Sequence, residues 1–293
     1  MKRYKATLIG NGVMGNRHKN RFEFCGVSFL HVVDLDTADF FAADAENVDF
    51  VVIATPASTH YNYVKYFLEK RIPVFVEKPL AVNAAKAQEL VDLAKRNNTI
   101  LFVAQSECFN PLFLNFRKHF VAELKQNANA RLEFRREHRY SNRCRDVNVA
   151  LDLLVHDLCI FFMTFRYEDV KIVNFEQINK NDNLMQNYDE AHLRLFVEKG
   201  EFAGVTADFY VNRNSDRDVR TIDVEMGRKG DIPAVSYSTS LIKYLPNGEI
   251  AHVADSLENE HKFFMKLLAG ACTEWGLRAA QNAADAVKIV TYN

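Results

Sequence analysis

The chain has 293 residues, 48% hydrophobic and 26% charged, a length and texture that suit two soluble globular domains of about 100 to 200 residues each. Lys+Arg 37 against Asp+Glu 38 leaves a net charge of -1, which excludes a global attraction to nucleic acid or to an anionic membrane surface. Five scattered cysteines (Cys25, Cys108, Cys144, Cys159, Cys272) form no C-x-x-C pair, which argues against a disulfide framework or zinc knuckle and for a reducing, cytoplasmic setting.

The N-terminal MKRYKATLIGNG is basic, but its apolar run is short and ends in glycines, so it reads as a first strand and not as a signal peptide. No stretch approaches the roughly 18 apolar residues of a membrane helix. Short apolar runs predict strands at Ala6–Ile9, Phe29–Val33, Phe50–Ala54, Val74–Val76 and Ile100–Ala104, with helices near 14–24, 60–70 and 84–97. That alternation is the pattern of a parallel sheet covered by helices. Only 15 residues, Leu35 to Asp49, separate the second and third strands. This is room for one short helix near Ala38–Ala45 but not for an additional edge strand, since a parallel crossover alone needs about a dozen residues. The sheet is therefore predicted to be shortened beside its second strand, leaving any ligand pocket at that edge more open.

After Asn110-Pro111 the texture changes. A helix over about 111–126 leads to the strand-like RLEFRREHRY and the helical VALDLLVHDLCIFFMTF. Alternating runs follow in AHLRLFVEK, GEFAGVTADFYV and VRTIDVEMG, which read as antiparallel strands. The C-terminal residues 255–270 and 279–291 are helical, with a break from Gly270 to Gly276. The expected fold is α/β: a Rossmann domain over 1–107, and an α+β domain over 108–293 with a large, mainly antiparallel open sheet.

LIGNGVMGNRH places Gly10, Gly12 and Gly15 behind the first strand and at the start of the first helix, and Asp34 ends the next strand 19 residues beyond Gly15. This is the spacing of a dinucleotide fingerprint. Glycines let the backbone approach a pyrophosphate at the positive end of the helix, beside Val13 and Met14, while Asp34 accepts from the ribose hydroxyls. The Asp34 carboxylate also repels a 2′-phosphate, so NAD is favoured over NADP.

Two further stretches, VVIATPASTHYNYV (51–64) and VFVEKPLAV (74–82), complete a pattern that resembles the glucose-fructose oxidoreductase / inositol dehydrogenase (Gfo/Idh/MocA) family. QSECFNP (105–111) and DVNVALDLLVHDLCI (146–160) extend the resemblance over essentially the whole chain. Lys78, at a strand's carboxyl end, is fixed in direction by Pro79. Asp152 and His156 are spaced i and i+4 in an apolar helix and so share a face. The residues alone leave three readings of that pair open: a self-satisfying core pair, a metal-ligand pair or a catalytic pair. Cys159 is the one local candidate for a third ligand, so no metal is assigned.

By resemblance, Lys78, Asp152 and His156 are the catalytic set and, with Glu107 and Asn110, the substrate contacts. Thr55, Pro56, His60, Glu77 and Lys78 join the glycine loop at the cofactor, although Thr-Pro reads equally as a cap for the helix near His60. The implied reaction is hydride transfer between nicotinamide and a carbinol carbon of a sugar, polyol or nucleotide sugar, with His156 or Lys78 taking the hydroxyl proton. The implied partners are that small molecule and further copies of the chain, as a dimer or tetramer, with neither nucleic acid nor membrane. Two rivals stand on the same scaffold: a cofactor-sensing regulator without turnover, and an imine or tetrapyrrole reductase.

Some residues depart from the pattern or read more plainly. Cys108 stands where such relatives often carry arginine. Arg135, Arg136, Arg139, Arg143 and Arg145 read first as a solvated strand and loop, and second as a grip for an anionic substrate group. His18 reads as a packing or surface residue rather than a ligand, and the 23 phenylalanines as core mass.

Overall fold

The computed structural model describes residues 3–34, 47–126, 129–139, 141, 146–178, 188–227, 235–244, 250–251 and 256–292. The chain divides into two compact units, Met1–Ser106 with Leu257–Asn293, and Glu107–Ser256. The two C-terminal helices, expected with the second domain, therefore belong to the first.

The first unit is built on five parallel strands: β1 (Lys5–Ile9), β2 (Ser28–Val33), β3 (Phe50–Ile53), β4 (Val74–Val76) and β5 (Leu101–Val103). Their spatial order is β2-β1-β3-β4-β5. Every residue of β3, β4 and β5 is buried, which is why these strands read as continuous apolar runs and not as alternating ones. Among the described residues β2 is the edge strand; the segment in which an additional strand was not expected, with the helix expected near Ala38–Ala45, falls mostly outside the described residues. Three helices connect the strands: α1 (Val13–Phe24), α2 (His60–Glu69) and α3 (Ala84–Arg96). The chain leaves β1 for β2 on one side and returns to β3 on the other, so the switch point where open α/β sheets bind ligands falls between β1 and β3.

The C-terminal helices join this unit through side-chain packing. Phe264 is fully buried, with ring centroids 5.7 Å from Phe22, 5.1 Å from Phe50, 5.2 Å from Phe75 and 5.5 Å from Phe102. A C-terminal helix packs against α3 and β5. It runs from Thr273 to Val290, not from residue 279. The expected break contracts to the turn at Gly270, where φ is +82°, and Cys272, where φ is 58°. Gly276 lies inside the helix, where an added Cβ would come 2.9 Å from Leu267 Cδ2. This glycine serves helix-to-helix contact, a use that local sequence does not distinguish from a helix stop.

The second unit opens with α4 (Pro111–Leu124), begun by Asn110, whose Oδ1 accepts from the Leu112 N–H. Its sheet contains β6 (Ala130–Glu137), β7 (Val170–Ile178), β8 (Glu190–Val197), β9 (Thr206–Asn212), β10 (Val219–Met226) and β11 (Val235–Ser240). The order is β11-β10-β6-β9-β8-β7, antiparallel throughout except for the parallel β6–β9 pair. The edge strands β7 and β11 are the two that apolar runs did not announce. Their residues alternate between half-buried and exposed, so neither carries the hydrophobic face that marks a central strand. One face of the sheet holds Leu132, Phe134, Leu193 and Phe209 against Phe161 and its helix; the other presents Arg131, Glu133, Arg194 and Asp208. No helix of the described residues is long and apolar enough to cross a membrane.

Docking of the C-terminal segment on the first sheet makes Phe264 a core residue of that unit. Phe264→Ala is expected to cost about 3–5 kcal/mol, the usual range for a fully buried phenylalanine, as measured by urea unfolding of the full chain.

Candidate active site

The glycine loop is shaped by what it excludes. Gly10 has φ of +91°, and a Cβ there would lie 2.6 Å from the Ala54 carbonyl oxygen; at Gly15 it would lie 1.8 Å from that of Gly10. Both positions demand glycine so that α1 can start tight against β1 and β3. Gly12 differs, because a Cβ there meets nothing within 4 Å. It is exposed, it is the N-cap of α1, and it provides no side-chain cap. The first amides of α1 therefore face open space beside a residue with no side chain, the surroundings a pyrophosphate needs. Val13 is 59% exposed at the same turn, Met14 is half-buried, and Asp34 is exposed at the end of β2. These residues fit a dinucleotide.

The Thr-Pro and Glu-Lys-Pro turns follow β3 and β4 at the same sheet edge and are tied together by His60. Its Nδ1 lies 2.7 Å from the Pro79 carbonyl oxygen and its Nε2 2.9 Å from that of Thr55. Thr55 is buried and accepts a hydrogen bond from the Thr59 hydroxyl at 2.7 Å, while Pro56 is exposed. A short 3-10 turn, Ala57–Thr59, separates them from α2, whose N-cap is Thr59, so Thr55 does not cap that helix. Lys78 is half-buried. Glu77 does not point its carboxylate outward: Oε1 lies 2.7 Å from His18 Nε2, and Oε2 accepts from the Lys78 N–H at 3.1 Å.

In the second unit Asp152 belongs to a π turn, Ala150–Leu154, and His156 to α5 (Val155–Phe162). The expected single α-helix is thus wound wider at the aspartate, a local feature common at functional sites. Asp152 is buried, with its Oδ2 3.9 Å from Arg213 Nη1. Arg213 is itself fixed by Asp189 at 2.8 Å and by the Val147 carbonyl at 2.9 Å. His156 is half-buried, with its Nδ1 atom inside.

Glu107 and Asn110, expected as substrate contacts, have these partners within the protein. Glu107 Oε1 lies 3.2 Å from Arg136 Nη1 and 2.8 Å from Arg220 Nη1. Asn110 Nδ2 donates to Glu107 Oε2 at 3.1 Å and to the Leu241 carbonyl at 3.0 Å, and Oδ1 caps α4. The polar atoms of Asn110 are committed to the fold. Arg136, expected in a solvated strand, is buried and also binds Asp157 at 2.7 Å, so its charge is spent inside. Arg135 stays at the surface between Glu133 and Glu137, over the Tyr210 ring; Arg139 donates to the Asp216 carbonyl. Arg143 and Arg145 lie outside the described residues. Burial pushes the Glu107 pKa up, but the charges of Arg136 and Arg220 outweigh it and the net shift is downward. For Asp157 burial prevails over Arg136 and the shift is upward.

Two sets of residues were not read as part of this region. Glu260 and His261 lie on the buried face of α6 (Ser256–Leu268), and two polar residues on an amphipathic helix's apolar face are a legible signal. Arg213 follows β9 with no local motif to mark it. Among the described residues no group of three His, Cys, Asp or Glu side chains is placed to hold a metal ion.

The loop, the switch point and the carboxylate at the end of β2 define a dinucleotide-binding Rossmann unit. Residues 7–105 match the model of the Gfo/Idh/MocA oxidoreductase family, NAD-binding Rossmann fold. UDP-N-acetylglucosamine 3-dehydrogenase of Acidithiobacillus ferrooxidans is 25% identical over 179 residues, 55% of this chain and 56% of that protein. Inositol 2-dehydrogenase of Acidothermus cellulolyticus is 33% identical over 141 residues, 41% of this chain and 40% of the relative. The matched stretches thus span about half of these curated relatives or less. Among solved structures, GenD2 from gentamicin A biosynthesis in complex with NAD superposes with a TM-score of 0.74 at 18% identity, covering 99% of this chain and 93% of its own. UDP-N-acetylglucosamine 3-dehydrogenase GnnA from Acidithiobacillus ferrooxidans gives 0.71 at 18%, covering 99% and 97%. Both share the fold.

A depressed carboxylate stabilises the folded state above its unfolded value of about 4.3, and that stabilisation is lost as pH falls through the folded value. Glu107→Gln, which leaves Arg136 and Arg220 short of a counter-charge, is expected to cost about 3 kcal/mol at pH 7. Urea unfolding measures it, and the gap to the wild-type chain should close below about pH 4.

Proposed function

We propose that this chain is an NAD-dependent oxidoreductase acting on a carbinol carbon of a sugar, polyol or nucleotide sugar. The observation that carries the reading is the sheet edge of the first unit, where the open Gly12 turn, Asp34 and Lys78 follow β1, β2 and β4 of one parallel sheet. Cofactor residues are Gly10, Gly12, Val13, Met14, Gly15, Asp34, Thr55, Pro56 and Lys78, with His60 and Glu77 holding the turns behind them. Asp34, a carboxylate where a 2′-phosphate would need a cation, favours NAD over NADP. When bound, NAD supplies the hydride acceptor.

The protein's own residues handle the proton and the charge. His156, with Nδ1 inside, takes the hydroxyl proton at Nε2. Lys78 Nζ stabilises the alkoxide that develops as the proton leaves. Asp152, backed by Arg213, accepts hydrogen bonds from substrate hydroxyls and sets their orientation. The sugar or polyol class is supported by the named activities of the relatives. A reducing compartment is supported by five scattered cysteines that form no C-x-x-C pair.

The chain is also proposed to self-associate through the outward face of the second unit's sheet. A groove of about 460 Å³ there is lined by Arg131, Arg135 and Arg194 together with Glu133, Glu176 and Asp208. Both signs on one face suit a second copy related by a twofold axis. Sedimentation velocity is expected to give a dimer or tetramer, and Arg194→Glu to shift it toward monomer; a wild-type monomer at all concentrations would refute this.

A panel of sugars, inositols and nucleotide sugars assayed for NADH formation tests the activity. His156→Ala is expected to lower kcat by about 10²- to 10⁴-fold with NAD affinity retained. Tight NAD binding without turnover on any substrate would favour a cofactor-sensing regulator instead.

A further inference from the structure

Beneath the Lys78 turn, inside the first unit, three ionisable side chains from three elements form one line of hydrogen bonds. His261 Nδ1 lies 2.5 Å from the Leu257 carbonyl oxygen, and His261 Nε2 lies 3.0 Å from His18 Nδ1. His18 Nε2 lies 2.7 Å from Glu77 Oε1, and Glu77 Oε2 accepts from the Lys78 N–H. Both histidines are completely buried, and the Glu77 side chain is only 12% exposed. Aromatic rings enclose them: Phe75 at 5.0 Å from His18, Phe22 at 4.3 Å from His261.

Counting protons along the line gives its charge. A carbonyl only accepts, so His261 carries a proton on Nδ1. Burial, followed by the charge of His18, holds the His261 pKa down at about 3, so its Nε2 is bare and accepts from His18 Nδ1–H. The other nitrogen of His18 then faces a carboxylate oxygen. Two lone pairs cannot make a 2.7 Å contact, so a proton lies between them. Burial raises the Glu77 pKa, but the His18 hydrogen bond and charge, with the charges of Lys78 and His60, bring it down overall. The proton therefore sits on the ring. The other titratable groups facing the line are Glu260 and Arg21. Burial and the Glu77 charge push the Glu260 carboxyl well up, and its Oε1 accepts from the Gln105 N–H.

We propose that His18 is a positioning residue: a buried imidazolium that donates to His261 and Glu77 at once, and so fixes the carboxylate that holds the backbone of Lys78. This rests on the reading of Lys78 as an active-site lysine. The arrangement lets a glutamate anchor the lysine turn while its negative charge is cancelled from behind. It also gives the C-terminal helix α6 a role, since His261 is the acceptor for the second N–H of His18.

The full-length chain with 15N-labelled histidine, studied by long-range 1H–15N NMR at pH 7 without ligand, tests the charge. The His18 ring is assigned by through-bond correlation to its own backbone amide, which needs no variant and separates it from His261, whose ring also lies against Phe75. Protons on both His18 nitrogens, with His261 neutral and protonated at Nδ1, are expected; a neutral His18, or the charge on His261, overturns the proposal. The positioning role is tested in His18→Gln, where the Lys78 amide resonance is expected to move; an unmoved resonance in a folded variant overturns it. On a substrate that is turned over, kcat should fall about 10- to 100-fold with a displaced pH profile and unchanged NAD affinity. If the whole panel is inert, the dehydrogenase reading falls while the two NMR results still decide the placement of the proton and of Lys78.

Discussion

Because β1 pairs in parallel with β2 on one side and with β3 on the other, and β3 pairs in the same sense with β4, all four strands deliver their carboxyl ends to one edge. Parallel pairing forces each connection to return over the sheet before the next strand begins, so the loops that follow the strands collect in one place. The glycine turn follows β1, Asp34 ends β2, the Thr-Pro turn follows β3 and Glu77-Lys78 follow β4. Their proximity follows from topology, and the side chains only refine it.

The refinement depends on groups held inside the protein. His60 ties the turn after β3 to the turn after β4 through two backbone carbonyls, and Glu77 is held from inside by His18. In the second unit Arg213 stands behind Asp152, itself fixed by Asp189. In each case a buried partner holds a turn or a side chain in place, which is how a site keeps its geometry. The buried charges are paired: Arg136 with Asp157 and Glu107, and Glu107 again with Arg220. Such pairs contribute less by net attraction than by the penalty for breaking them.

Much of the first unit was legible because its signals are local. A glycine at Gly15 is required by a contact with Gly10, five residues away, and the apolar runs of β3 to β5 reflect burial on both faces. The edge strands β7 and β11 were not legible, since a strand with one pairing partner and a half-exposed face carries no strong pattern. Glu107 and Asn110 drew attention as polar residues at a domain junction. Their partners Arg136, Arg220 and Leu241 are 29, 113 and 131 residues away, and nothing in the local stretch says that those groups consume them.

Thus the amino-acid order by itself determined the dinucleotide loop, its acidic partner and the parallel sheet, because each rests on spacing within one or two elements; Lys78, Asp152 and His156 were singled out by resemblance to a family. Tertiary structure decided that residues 257–293 complete the first unit, that Asp152 sits in a π turn beside Arg213, and that His18 lies buried between Glu77 and His261. The physical reason is distance along the chain. A hydrogen bond between residues 243 positions apart leaves no periodicity in the sequence, and it exists only once the sheet and the helices over it have brought its ends together.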